Sequence, residues 1–361
     1  MRPRTTSMSS APASALAALP GDEHQLLLTF LVTLALQLSC FAVAYSLHTD
    51  ALTDLAGSAN FVLLALLSFA VGSGGGAAFA PRAALVTALV CLARVELAAY
   101  LFYRVLRRGK DARFDAVRGS FVPFLIFWLV QVVWVWVVSL PMVIVNADAA
   151  AAAAQPAAAL PPLFADARDF AGVALFAVGF ATQVAADLAK DRFRADAANR
   201  DRVCDAGVWR YSRHPNFFGE MLIWWGIFCL AAPQLQLGPT GGAAWAWGAA
   251  VASPLITMAI LLFASGIPTA EGNHQLRFMR TPDARARYEA YRWRTSPLVP
   301  LPNALYAATP LPAKRWLLCE FKMYEVSDDA AGEKDALRAA GGPANPLERA
   351  GPGERLVERL G

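Results

Sequence analysis

The chain has 361 residues, 57% of them hydrophobic and only 17% charged, a balance outside the range of ordinary soluble domains. Its formal net charge of +4 is concentrated in particular loops, so it carries no nucleic-acid signal. The five cysteines show no CxxC or metal-ligand spacing, which points to reduced packing residues, with neither a disulfide framework nor a metal site.

Residues 1–25 hold Arg2 and Arg4, many Ser, Thr and Ala, and no acid before Asp22. They read as a disordered tail or an organellar transit peptide. Apolar runs follow at about 26–47, 58–79, 82–103, 121–145, 170–189, 217–237 and 244–266, each near the ~20 residues that cross a bilayer as a helix. The expected fold is all-α, a polytopic membrane bundle of about seven transmembrane helices within residues 26–324. The Gly72–Gly76 cluster lies in the second run with no strand before it, so it reads as a helix break or close-packing site and not as a dinucleotide fingerprint. Ala149–Ala154 and the following QPAAALPP read as a low-complexity linker. Residues 325–361, rich in Gly, Pro, Ala and charge, read as a disordered tail.

Loop charge sets an orientation. The loop after the third run holds Arg104, Arg107, Arg108, Lys110, Arg113 and Arg118, and the one after the fifth is as basic. The loop after the fourth has only Arg168, and the one after the sixth has neither Lys nor Arg. The positive-inside rule then puts the N-terminus outside and the C-terminus in the cytosol. The 48–57 loop, on the same side, has no Lys or Arg, so the first two spans carry the weakest signal.

Polar residues recur inside two spans. In the third, Glu96, Tyr100 and Tyr103 share a helical face, with Arg94 nearby. Residues two apart on a helix point in different directions, so an Arg94–Glu96 pair is not the natural one. A buried acid beside two phenols can polarise a carbonyl or pass a proton, and structural packing is the alternative. In the fifth, Gln183, Asp187, Lys190 and Arg194 form one stripe. Lys190 and Arg194 alone fit snorkelling at a helix end, whereas the deeper Gln183 and Asp187 point to the wall of a polar cofactor cavity.

The densest cluster is Gly207–Phe228, GVWRYSRHPNFFGEMLIWWGIF, in which Arg210, Tyr211, Ser212, Arg213, His214, Asn216 and Glu220 run directly into an apolar segment. Pro215 suits the first turn of a helix. The helix N-terminus would then lie beside Arg213 and His214, a place for a phosphate. Asn216 and Glu220 share one face, and Glu220 is carried towards the membrane, where an acid reads as functional. Further on, SGIPTAEGNH sets Glu271 and His274 at the cytosolic mouth, and RYEAYRWRTSPLVPLP carries Tyr288 and Tyr291. These aromatic and basic groups read as a lid over an adenine nucleotide, or as ordinary interfacial surface.

WRYSRHPNFFGE followed by WWG resembles the signature of the DUF1295 branch of the steroid 5-alpha-reductase family. RRGKDARFDAVRGSF, FWLVQVVWVWVVSLPMVIVN, SPLITMAILLFASGIP and TSPLVP extend the resemblance over about residues 81–306 in consistent order. It implies a membrane fold of about seven spans and reduction of an activated C=C bond with NADPH held in a cytosol-facing cavity. Asn216, Phe217 and Glu220 match the family's nucleotide-binding segment, with Phe217 in place of the usual Tyr. His274 and Tyr291 fall in its second cofactor-contacting segment, and Lys190 and Arg194 at its phosphate positions. Glu96 falls near a position where the steroid reductases have Tyr, a departure that points away from a steroid substrate.

The resemblance thus implies an NADPH-dependent reductase of a lipophilic substrate that enters from the bilayer. Asp187, Lys190, Arg194, Arg210, Tyr211, Arg213, His214, Asn216, Phe217, Glu220, His274 and Tyr291 would surround the cofactor, with Glu96, Tyr100 or Tyr103 at the substrate carbonyl. Membrane lipids are the other expected partners. The endoplasmic reticulum is the expected membrane, with organellar or bacterial inner membranes as alternatives. Two rivals share the scaffold: an S-adenosylmethionine-dependent methyltransferase of the isoprenylcysteine carboxyl type, which also has an RHPN element, and a non-catalytic lipid-binding protein.

Overall fold

A computed structural model describes residues 21–73, 80–108, 119–154, 160–199, 202–278 and 281–324. Of the tails expected to be disordered, residues 1–20 and 325–361 lie outside the described residues, as does most of the Gly72–Gly76 cluster; residues 21–25 are instead ordered against α1, where Asp22 accepts from the Leu27 and Leu28 N–H groups at 3.1 and 2.8 Å. Eleven α-helices are described: α1 Leu26–Ser46, α2 Ala51–Ser73, α3 Pro81–Arg108, α4 Phe121–Ala154, α5 Ala167–Ala195, α6 Pro215–Leu237, α7 Ala244–Ala259, α8 Ile267–Phe278, α9 Pro282–Arg294, α10 Asn303–Ala308 and α11 Leu311–Leu317. No strand occurs among the described residues. Among the described residues, seven helical stretches are long and apolar enough to cross a membrane: α1 to α6, and α7 continued through a π-helical turn, Ile260–Ala264, into α8.

Two boundaries differ from the pattern in the sequence. α2 begins at Ala51, because Asp54 in its first turn is paired with Arg104 of α3 at 3.0 Å. A charge answered by a neighbouring helix need not mark a loop. Ala149–Ala154 is the last stretch of α4 and not a linker, since alanine is the strongest helix former. Gly72 is a close-packing site: a Cβ there would lie 2.4 Å from the Asn146 carbonyl oxygen.

The core runs along α2, α3, α4 and α6, with Phe61, Leu64, Val90, Val138, Trp224 and Ile227 buried together. Both ends of the bundle carry polar locks. At the end where α3 and α5 begin, Asp169 holds both Arg82 Nη atoms, and Arg82 also donates to the Leu230 carbonyl at 2.8 Å. At the opposite end, α8 to α11 and the segment between them gather against the start of α6. Tyr324 OH donates to the Leu262 carbonyl within the π-helical turn (2.8 Å), tying the end of the described chain to the last span.

Candidate active site

α5 and α6 run antiparallel, and glycines bring their backbones together. A Cβ at Gly179 would stand 2.6 Å from the Gly219 carbonyl oxygen, and one at Gly226 would stand 2.7 Å from that of Gly172. Two such contacts, two turns apart on each helix, leave room for nothing larger. They lay the next turns of α5, with Gln183 and Asp187, against the first turns of α6, with Asn216 and Glu220. Gln183 and Asp187 are buried there, and Asp187 lies within electrostatic reach of Lys190, Glu96, Arg104 and Glu220.

α6 starts at Pro215 with His214 as its N-cap residue, and the preceding motif is fastened on two sides. Towards α5, Trp209 Nε1 donates to the Ala186 carbonyl (2.7 Å) and Lys190 Nζ sits 4.0 Å from the centre of the Trp209 ring, while Tyr291 OH of α9 donates to the Trp209 carbonyl (2.8 Å). Towards the C-terminal segment, Arg213 N–H donates to the Ser296 carbonyl (2.8 Å), Ser212 Oγ donates to that of Leu298 (2.7 Å), and Leu301 N–H donates to that of Tyr211 (3.0 Å). WRYSRHPN and TSPLVP therefore form one structural unit.

Beneath this unit lies a buried ionic hub. Glu271, fully inaccessible, takes Arg213 Nη1 at 3.3 Å, His214 Nε2 at 2.9 Å and Tyr288 OH at 2.9 Å, with Arg292 Nε at 3.6 Å. Glu320 bonds the other Arg213 nitrogen and Tyr306 OH. Burial opposes the Arg213 charge, but Glu271 and Glu320 outweigh it and raise its pKa. Burial holds His214 below its usual value despite its bond to Glu271. Burial also pushes the phenols of Tyr288, Tyr291 and Tyr306 up, so all three stay protonated donors.

Above the hub opens a cavity of about 660 Å³ between the end of α5, the turn at Gly207–Arg210, α8 and α9. Among the described residues its wall holds five cationic groups, Lys190, Arg194, Arg202, Arg213 and Arg277, against two acids, Asp196 and Glu271. Phe193, Trp209, Phe278, Tyr288 and Tyr291 supply aromatic surface. His274 is in the wall, its ring centre 6.3 Å from that of His214, which in turn stacks on Phe217 at 5.5 Å.

A second polar cluster lies deeper, between α3, α5 and α6. Arg94 forks onto Glu220, Nη1 to Oε1 at 2.9 Å and Nη2 to Oε2 at 2.7 Å, and Trp224 Nε1 adds a bond to Oε1 at 2.8 Å. Three buried acceptor atoms in this region have no partner among the described residues: Glu96 Oε2, Gln183 Oε1 and Asn216 Oδ1. Unpaired buried oxygens are costly in an apolar medium, so their position suits a ligand that brings donors.

The residues singled out in the sequence thus divide into groups. Lys190, Arg194, Arg213, His274 and Tyr291 line the cavity, and Asp187, Asn216 and Glu220 lie deeper along α5 and α6. Arg210 and Tyr211 are exposed and stand outside the cavity wall. Glu96 and Tyr100 are half-buried on α3, whereas Tyr103 is 40% exposed. Arg94, Arg277, Phe278 and Glu320 enter the site without having been selected from the sequence. For Arg94 a signal was present, since an arginine inside a span marks a buried partner.

The sequence matches the family described as "Protein of unknown function (DUF1295)" over residues 40–295. No curated protein and no solved structure matches the chain. The matched stretch takes in the whole of α2 to α9 and with them the cavity and the buried Arg94–Glu220 pair, and the chain belongs to the DUF1295 family.

Proposed function

We propose that this protein is a membrane-embedded, NADPH-dependent reductase of a conjugated C=C bond in a lipophilic substrate of the steroid, sterol or isoprenoid kind. The observation that carries the proposal is the cavity of about 660 Å³, within the usual size of small-molecule sites, whose wall sets five cations against two acids. Such a wall favours a polyanion. NADPH brings phosphates, while S-adenosylmethionine brings a sulfonium and an ammonium against a single carboxylate. An acyl chain gains nothing from a cationic wall.

The residues present fit the nucleotide. Lys190, Arg194 and Arg277 would neutralise phosphates, with Phe278 and Tyr288 offering ring faces to a base. The unpartnered Asn216 Oδ1 and Gln183 Oε1 would accept the N–H groups of a carboxamide. NADPH, when bound, supplies the hydride. Reduction of a conjugated carbonyl at its β carbon moves an electron pair onto the carbonyl oxygen. A proton carried on Glu96 Oε2 would stabilise that oxygen, with Tyr100 one turn along α3 as the alternative donor. The close helices would exclude water from this inner end, and the substrate would enter laterally from the bilayer.

Nucleotide binding by the detergent-purified chain tests the proposal. The wild type is expected to bind NADPH and not S-adenosylmethionine, and Lys190→Ala, Arg194→Ala and Asn216→Ala are each expected to weaken NADPH by about tenfold or more. Selective binding of S-adenosylmethionine, or binding of neither by folded protein, would overturn it.

A further inference from the structure

Glu220 lies where a carboxylate is expensive, and its surroundings explain how it is kept. Its side chain is 13% exposed, and Arg94, which meets it end-on through both terminal nitrogens, is 1% exposed. The guanidinium carbon lies 5.3 Å from the centre of the Trp224 ring and 5.6 Å from that of Phe61, so two aromatic faces fix the plane of the fork. Trp224 stands one turn after Glu220 on the same helix and supplies the third donor. A carboxylate has about four acceptor positions. Oε1 uses both of its positions, on Arg94 Nη1 and Trp224 Nε1, and Oε2 uses one, on Arg94 Nη2.

We infer that Arg94 is a positioning residue that holds Glu220 as an acceptor on both oxygens and leaves one acceptor position, on Oε2, for an N–H donor of the bound nucleotide. The inference rests on the reductase reading and adds to it. Asn216 Oδ1, one turn before Glu220 on the same face, is the neighbouring unpartnered acceptor, so the pair presents two acceptors to one carboxamide. Two consequences follow. Glu220 contributes recognition and not a proton, since every position but one is already filled by a donor. A glutamine at 220 is not conservative, because either orientation of its amide sets an NH₂ group against Arg94.

The test measures dissociation constants for NADPH and for adenosine 2′,5′-bisphosphate, which has the phosphates and adenine but no nicotinamide. Wild type, Arg94→Met, Arg94→Lys, Glu220→Gln and the Arg94→Met/Glu220→Gln double variant are compared. Arg94→Met and Glu220→Gln are each expected to weaken NADPH by about tenfold or more, with the bisphosphate within about twofold of wild type. The double variant is expected to lose no more than either single one, because both remove the same contact. Arg94→Lys keeps the charge without the fork, and is expected to fall between wild type and Arg94→Met. Wild-type NADPH affinity in Arg94→Met would overturn the inference and leave the reductase reading standing. Parallel loss of both ligands in Arg94→Met and Arg94→Lys would make Arg94 merely structural, and additive losses would separate it from Glu220, each overturning the inference. Failure of the wild type to bind NADPH would bring down the reductase reading, and this inference with it.

Discussion

His214 is 2% exposed, with its ring between Phe217 and His274 and its Nε2 on Glu271. Burial and the adjacent Arg213 charge disfavour a proton on it, while Glu271 favours one, and the balance lies below the usual 6.5. The unfolded chain therefore takes up a proton as pH falls through about 6.5, before the folded chain does. His214's contribution to stability is whole above that value and is lost as pH drops towards the depressed folded one, at up to about 1.4 kcal/mol per pH unit. Melting temperatures in detergent should fall between about pH 8 and about pH 5.5, and the slope should be shallower in His214→Gln, which keeps a donor for Glu271 but does not titrate. Equal slopes in the two proteins would show that His214 takes its proton as readily folded as unfolded. Arg213 and His214 illustrate what a linear motif conceals. Their types were visible, and a phosphate site at the helix start followed naturally, yet their terminal groups are occupied by Glu271 and Glu320. Those acids come from α8 and from the stretch after α11, and nothing local in RYSRHPN announces them.

At the scale of elements, the contact between α5 and α6 decides whether the site exists. The glycines face each other's carbonyl oxygens, so even a methyl group must force the helices apart. A Cβ at Gly219 would sit 2.5 Å from the Gly179 carbonyl oxygen. Gly219→Ala should therefore lower stability by about 1–3 kcal/mol, as overpacking does, and weaken NADPH binding by separating Gln183 from Asn216. Gly248→Ala on α7 is the control. Nothing lies within 4 Å of its Cβ, and alanine favours a helix over glycine by about 1 kcal/mol, so melting should hold or rise. A Gly219→Ala protein that melts and binds like wild type would mean that the helices can slide without cost. The stripe Gln183, Asp187, Lys190, Arg194 was legible because helical periodicity is local, and so was the start of α6 at Pro215. The glycine contacts were not, since the seven-residue spacing of Gly172 and Gly179, and of Gly219 and Gly226, marks a face on each helix but not which helix packs against it. α2 illustrates the same limit: the polar residues at its start look like a loop until Arg104 arrives from α3.

For the molecule as a whole, the distribution of charge ties topology to chemistry. The α3/α5 starting end is closed by the Arg82–Asp169 ion pair and by Thr240, whose hydroxyl donates to the Asp148 carboxylate. The opposite end collects Lys190, Arg194, Arg202 and Arg277 around an open cavity. Cations able to answer a phosphate are also those that retain a loop in the cytosol, so on the proposed reductase reading one set of residues would serve insertion and binding. That reading requires the same end to face the compartment that holds soluble nucleotide. A fluorescent protein fused after Gly361 is expected to be bright and, in right-side-out cells or sealed vesicles, protected from added protease, whereas a reporter in the 238–243 loop between α6 and α7 is expected to be accessible from the other side. The reverse pattern would turn the cavity away from the cytosol and deprive a reductase of its cofactor supply, whatever the affinity measured in detergent.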